Sequence, residues 1–274
     1  MLSYFYWDPS KALIPWNLPL LGRPLLWYGF LFALGFLVAY GVFLSLLNSL
    51  LRHEKAKEVK ANSKKIADNL TFYVILGAVI GARLFDVLFY ENWRAIEADP
   101  WSVIKVWEGG LASHGGVVGI LVALAIFQKR HRFCSWGHLL DLLVLPAAVV
   151  AFFIRIGNFI NQEILGKPTD VPWAVIFGHP ADGSFPVPRH PVQLYEAFYY
   201  LSIFVVLWVL KKKWSRWKDG RLCGLFLIMI FTFRFFVEFF KEEQSWWLYG
   251  SPTTMGQLLS IPFVLFGLYL VLRK

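Results

Sequence analysis

Seven long apolar runs, separated by polar or basic stretches, dominate the chain and leave no segment that reads as a soluble domain. They lie at about 25–50, 70–90, 111–128, 138–157, 192–210, 221–240 and 254–272. A helix of roughly 20 apolar residues crosses a hydrocarbon layer ~30 Å thick, so the pattern predicts about seven transmembrane helices. Only 16% of the 274 residues are charged, whereas an average soluble domain carries about 25%. An ordinary soluble enzyme, a disordered chain and a collagen-like chain are all excluded. The expected fold is an all-α polytopic membrane protein, with 1–274 forming a single membrane-embedded domain. The first 24 residues hold Asp8 and Lys11 but no basic stretch ahead of a long apolar core, so they do not read as a cleavable signal peptide.

The basic residues set the expected orientation. Seventeen of the 27 Lys and Arg residues follow the first, third, fifth and last spans, in clusters such as Arg52 to Lys65 and Lys211 to Arg221. Seven lie on the other side. This alternation predicts an N-terminus on the outer side of the membrane and a cytoplasmic C-terminus. It also explains the net charge of +9 without nucleic acid, because the basic runs lack interleaved stacking aromatics. Cys134 and Cys223 both fall near the cytoplasmic face, where thiols stay reduced, and make no disulfide framework. The stretch from about 160 to 191 is rich in Pro and Gly and predicts a small irregular region on the outer side.

Polar and ionisable groups inside spans are costly and mark function. They are Arg83 with Asp86, His114, Asp141, Arg155 with Asn158 and Asn161, and Arg234 with Glu238. The predicted topology gathers all but Asp141 near the outer ends of their spans, where Tyr28 opens the first span. Each has a bland alternative: Arg83 and Asp86, or Arg234 and Glu238, pair within one helix, and an arginine near a span end snorkels. Arg155, Asn158 and Asn161 share a helix face at i, i+3, i+6, which suits a lipid phosphate because guanidinium matches phosphate geometry. Glu163 is placed to orient Arg155 or an amide. In Ser113-His114-Gly115-Gly116-Val117-Val118-Gly119, the small residues admit close approach of a backbone or a lipid chain. His114 is a capping residue or a base. In Arg189 to Glu196, Pro191 opens a helix. No histidine or cysteine spacing matches a metal site, so no metal and no cofactor is expected.

Several of these segments together resemble the bacterial prolipoprotein diacylglyceryl transferase family. They are Trp27-Tyr28-Gly29, Gly81-Ala82-Arg83-Leu84, Ser113-His114-Gly115-Gly116, Arg155 to Gly166, Arg189 to Glu196, Arg234 to Phe240 and Met255 to Pro262. Coverage is nearly the whole chain. Phe85-Asp86 and Ile230 depart from the family pattern. The resemblance implies a multi-pass inner-membrane transferase whose site opens to the periplasm. Its partners would be phosphatidylglycerol, other membrane lipids and the signal peptide of a preprolipoprotein, whose lipobox cysteine thiol receives the diacylglyceryl group. It implies that Arg155, with Asn158, Asn161, Arg83 and Gly166, binds phosphatidylglycerol, and that His114, Arg234, Glu163, Glu238 and Tyr28 serve catalysis. His114 is the first candidate base, with Glu163 and Glu238 as alternatives. A small transporter or binder of an anionic lipid or solute is the competing class, but it favours a midplane site and paired repeats, neither of which is visible.

Overall fold

The computed structural model describes residues 4–17, 22, 24–50, 56–89, 99–105, 112–212, 218–242 and 253–273. Several orientation-setting residues, namely Arg23, Arg52, Lys55, Arg94, Lys213, Arg216 and Lys274, lie outside the described residues. The described chain is mostly helical. Two short strands, β1 (Phe5–Trp7) and β2 (Ala12–Ile14), precede β3 (Leu25–Leu26) and the first helix. Seven helices follow: α1 (Trp27–Leu50), α2 (Ala56–Phe89), α3 (Ser113–His131), α4 (Trp136–Asn161), α5 (Val192–Leu210), α6 (Arg221–Val237) and α7 (Met255–Leu272). Strands β4 (Val175–Phe177) and β5 (Pro188–Arg189) lie between α4 and α5. Among the described residues, all of these helices except α3 are long and apolar enough to cross a membrane, so the chain is a multi-pass membrane protein. Helix α3 has 19 residues, but polar residues at both ends shorten its apolar centre.

The helices group into two compact units. One comprises Met1–Phe43 and Gly137–Lys274, the other Leu44–Trp136.

The second unit is built on the α2–α3 pair. Helix α2 has 34 residues, about 50 Å at 1.5 Å per residue, and begins well before the apolar run at 70–90. The sequence before that run is rich in Ala and Lys, which favour helix without needing a lipid environment. Its apolar half crosses α3 at glycines spaced four apart on both helices. A Cβ on Gly77 or Gly81 would strike the α3 backbone at Gly119 or Gly115, and the reverse holds for Gly115 and Gly119. Two facing small-residue stripes thus bring the backbones together, where lipid supplies no hydrophobic drive and packing must do the work.

The first unit packs α5, α6 and α7 side by side. Tyr199 and Phe233 stack at 3.9 Å between α5 and α6, and Phe231 and Phe263 at 4.3 Å between α6 and α7. Gly224 and Gly267 mark the α6–α7 crossing, where an added Cβ would sit 2.8 or 2.7 Å from the opposing carbonyl. Asp141, buried in α4, accepts 2.8 Å hydrogen bonds from the backbone N–H groups of Gly220 and Cys223. It satisfies orphan donors at the start of α6 and complements the helix dipole, which accounts for a carboxylate inside a span. Helix α7 starts on a capping box between Thr254 and Gln257.

The 160–191 region is less irregular than its composition suggests. Strands β1, β4 and β5 form a three-stranded sheet, parallel between β1 and β4 and antiparallel between β4 and β5. Its anchor is a small apolar core of Phe159, Leu165, Val175 and Phe177, against which Trp7 and Leu194 pack. Trp7 stacks on Phe159 at 4.8 Å and donates its indole N–H to the Phe159 carbonyl at 3.0 Å. Three-residue strands carry too little alternation to be read from sequence.

Candidate active site

The C-terminal end of α4 carries the densest polar stretch, and its geometry begins with a strained turn. Gln162 and Ile164 have φ of 56° and 57°, left-handed values that are unfavourable for a β-branched residue. Side chains hold the turn in place. Gln162 donates to Asp8 Oδ1 at 3.0 Å and accepts from the His179 N–H at 2.7 Å. Gln193, fully buried on α5, donates to the Glu163 carbonyl at 2.8 Å. His179 Nδ1 lies 2.7 Å from the same Asp8 oxygen, and the hydrogen bonds from His179 and Gln162 hold the Asp8 carboxyl below the usual carboxylate range. The turn folds Glu163 back on α4, so that Asn158 Nδ2 donates to Glu163 Oε1 at 2.6 Å.

From there a continuous chain of charges runs through the first unit. Arg155 Nη1 donates to Asn158 Oδ1 at 3.1 Å, and Arg155 Nε lies 3.0 Å from Glu196 Oε2. Lys241 Nζ donates to the other oxygen of Glu196 at 2.9 Å. Lys241 also lies 3.6 Å from Glu238 Oε1, which is 3.9 Å from Arg234 Nη2. Thr254 Oγ1 donates to Glu238 Oε2 at 3.3 Å, and the Tyr200 hydroxyl donates to Glu196 Oε1 at 3.5 Å. The phenol of Tyr28 lies beside Arg155, Asn158 and Glu163. Gly157 makes room for that ring: a Cβ there would come 2.8 Å from it. Three cations (Arg155, Arg234, Lys241) thus face three carboxylates (Glu163, Glu196, Glu238), and Glu196 is completely buried. In a poorly solvated setting such a balance is close to a requirement, because an unmatched buried charge is costly. Burial pushes the Lys241 ammonium below its ordinary value, and Glu196 only partly restores it.

Most of the residues expected from sequence meet here: Tyr28, Arg155, Asn158, Glu163, Arg234 and Glu238. Asn161 shares their helix but has no side-chain hydrogen-bond partner among the described residues. Gly166 acts through its backbone. It bridges to Lys241, its carbonyl accepts from Arg189 Nη1 at 3.1 Å, and a Cβ would strike the His190 carbonyl. Glu196 and Lys241 were not among the expected site residues. Lys241 reads as one more loop cation, yet it falls three residues after Glu238, and Glu196 ends the Arg189 to Glu196 segment.

Arg83 and His114 belong to the second unit. Arg83 is buried and heavily engaged: Nε donates to the Val103 carbonyl at 2.9 Å, Nη2 to the Ser102 carbonyl at 2.6 Å and Nη1 to Asp86 at 3.0 Å. These bonds tie α2 to the 3-10 turn Pro100–Ile104. His114 is exposed in the first turn of α3, and the small residues beside it serve the backbone contact with α2.

Fold and site together define an integral membrane protein of helices whose polar centre is a charge-balanced, buried ion cluster rather than a soluble cleft. A family model, Prolipoprotein diacylglyceryl transferase, matches residues 16–273. The chain is 42% identical over 273 residues to the phosphatidylglycerol–prolipoprotein diacylglyceryl transferase of Chloroherpeton thalassium, covering 99% of this chain and 95% of that one. It is 42% identical over 246 residues to the protein of that name from Tolumonas auensis, 90% of each chain. A Protochlamydia amoebophila protein of the same name is 34% identical, over all of this chain and 96% of its own. The chain belongs to the prolipoprotein diacylglyceryl transferase family.

Proposed function

We propose that this protein transfers the diacylglyceryl group of phosphatidylglycerol to the lipobox cysteine thiol of a preprolipoprotein, at the outer face of the bacterial inner membrane. The carbon–oxygen bond between the glycerol carbon and the phosphate breaks. A carbon–sulfur bond forms at that carbon, the thiol proton passes to a base, and glycerol phosphate leaves. The leaving group is an anion, so catalysis needs preorganised positive charge where that charge develops. The observation that carries the reading is the run Arg155–Glu196–Lys241–Glu238–Arg234, buried except at Arg234, in which every cation has a carboxylate within 4 Å. Arg155, steadied by Asn158 and Glu196, binds the phosphate. Arg234 stabilises the departing charge, and Tyr28 borders the site. Arg83, Asn161 and Gly166 are assigned to the lipid side, Gly166 through the backbone contact that seats Lys241.

A free thiol has a pKa near 8.5, so the substrate needs a base or a positive field to react. His114 is the candidate base, with Glu163 and Glu238 as alternatives. The family match spans both units, which supports reading 1–274 as one catalytic domain. The basic clusters support the orientation that opens the site to the periplasm. The test is incubation of the protein in phosphatidylglycerol proteoliposomes with a lipobox peptide, followed by mass spectrometry of the peptide. A mass gain of one diacylglyceryl group on the cysteine is expected, and an unmodified peptide would refute the reading. In the same assay His114→Gln, which keeps a polar side chain but accepts no proton, should bind phosphatidylglycerol normally and lose most of its turnover.

A further inference from the structure

We propose that the basic end of α3, with the turn that follows it, is a seat for the headgroup of an acidic phospholipid. It is made of residues with no part in the transfer chemistry. A cavity of about 510 Å³ opens there, lined by Ala125, Gln128, Lys129, Arg132 and Trp136 among others, and by no carboxylate. Neither Lys129 nor Arg132 has an acidic partner among the described residues, and both are exposed. Their neighbour Arg130 differs: its Nη1 donates to the Tyr73 hydroxyl at 2.9 Å. The two cations that line the cavity are therefore those left for a ligand.

The turn that shapes the cavity is held open. Arg132 has φ of 37°, a left-handed value for a residue with a side chain, and its N–H donates to the Gln128 carbonyl at 3.1 Å. Gln128 is 7% exposed, and its amide N–H donates to the Cys134 carbonyl on the far side of the turn. The other polar atom of that amide, Oε1, has no partner among the described residues.

A lipid fits this site better than a soluble phosphate because the part of α3 that leads up to the cavity is apolar and exposed. Leu121, Ala125 and Lys129 follow one another at four-residue spacing on α3, so they share a face. Leu121, Val122 and Ile126 are 57%, 53% and 43% exposed along that side. Acyl chains lie on such a face while the phosphate meets Lys129 and Arg132 at the helix end. Trp136, 47% exposed at the mouth, has the amphipathic ring that favours the headgroup layer.

The test is native mass spectrometry of the full-length protein in detergent, titrated with phosphatidylserine or with phosphatidylcholine. The wild type should retain one phosphatidylserine that Lys129→Gln/Arg132→Gln binds roughly 30-fold more weakly, at about fivefold per cation. Phosphatidylcholine binding should be equal in both. Ala125→Trp, which fills the cavity and keeps both charges, should also lose the retained lipid, whereas Arg130→Gln should not. Equal phosphatidylserine binding by the wild type and the double variant would overturn the proposal. Displacement of the lipid by millimolar inorganic phosphate would overturn it too, because it would mark a soluble-anion site. Transfer activity measured in parallel keeps this outcome separate from that of the transfer reaction, since all three variants should still lipidate the peptide.

Discussion

Arg155 is oriented from two directions, by the amide of Asn158 and the buried carboxylate of Glu196, so its plane is fixed before any lipid arrives. Arg155→Ala should lower transfer by about 10²-fold or more, the scale seen when one oriented donor to a developing charge is lost. Arg155→Lys should be nearly as poor, because an ammonium cannot contact Asn158, Glu196 and a phosphate from one rigid plane. Initial rates in proteoliposomes check both. Glu196 is the residue on which the cluster turns, since it neutralises Arg155 and Lys241 at once. Glu196→Gln should cost about 3–5 kcal/mol of stability, because it strands two buried cations, and should raise KM for phosphatidylglycerol by loosening Arg155. Adding Lys241→Met removes one stranded charge, so the double variant should melt at a higher temperature than Glu196→Gln alone. Thermal melts in detergent and a KM against kcat comparison decide this. The Arg155–Asn158 spacing was legible in the sequence because both lie on one helix. The Glu196 contact was not, because 41 positions separate it from Arg155.

Helix termini and crossings carry the local logic. Glycines at four-residue spacing on α2 and α3 meet backbone to backbone, and any side chain at Gly119 would strike Gly77 and Gly81. Gly119→Val should therefore destabilise the α2–α3 pair by about 1–3 kcal/mol, the usual cost of overpacking. A lower melting temperature would show it, while Gly41→Ala, at a glycine with open space around it, should leave it unchanged. The small residues after His114 were readable as a site of close approach, but sequence alone left open whether a lipid or a helix would approach. The structure shows the helix. Asp141 likewise stood out as a charge in a span, and its task of capping α6 became visible only in three dimensions.

The whole chain is organised by the membrane. The basic clusters predict that the loop from about 160 to 191 faces the periplasm and that the C-terminus faces the cytoplasm. Phe185, 86% exposed in that loop, offers a probe: Phe185→Cys should react with a membrane-impermeant maleimide in intact cells whose outer membrane is permeabilised. A fluorescent protein fused after Lys274 should be bright only if it folds in the cytoplasm. Reversed labelling would invert the assigned topology.

Apolar runs, their lengths and the asymmetry of Lys and Arg are one-dimensional properties that the bilayer reads directly. The class of fold, the number of helices and the polar stretch from Arg155 to Gly166 therefore followed from the sequence by itself. The remaining features are relations between distant residues. The three-stranded sheet joins Phe5 to Val175, the strained turn at Gln162 is held by Asp8 and His179, and the ion cluster closes only when α5 and the end of α6 bring Glu196 and Lys241 to Arg155. Arg83, which the family resemblance places on the lipid side, also donates to two carbonyls of a turn that no periodicity announces. A buried charge takes its meaning from the group that neutralises it, and only the tertiary structure decides which group that is.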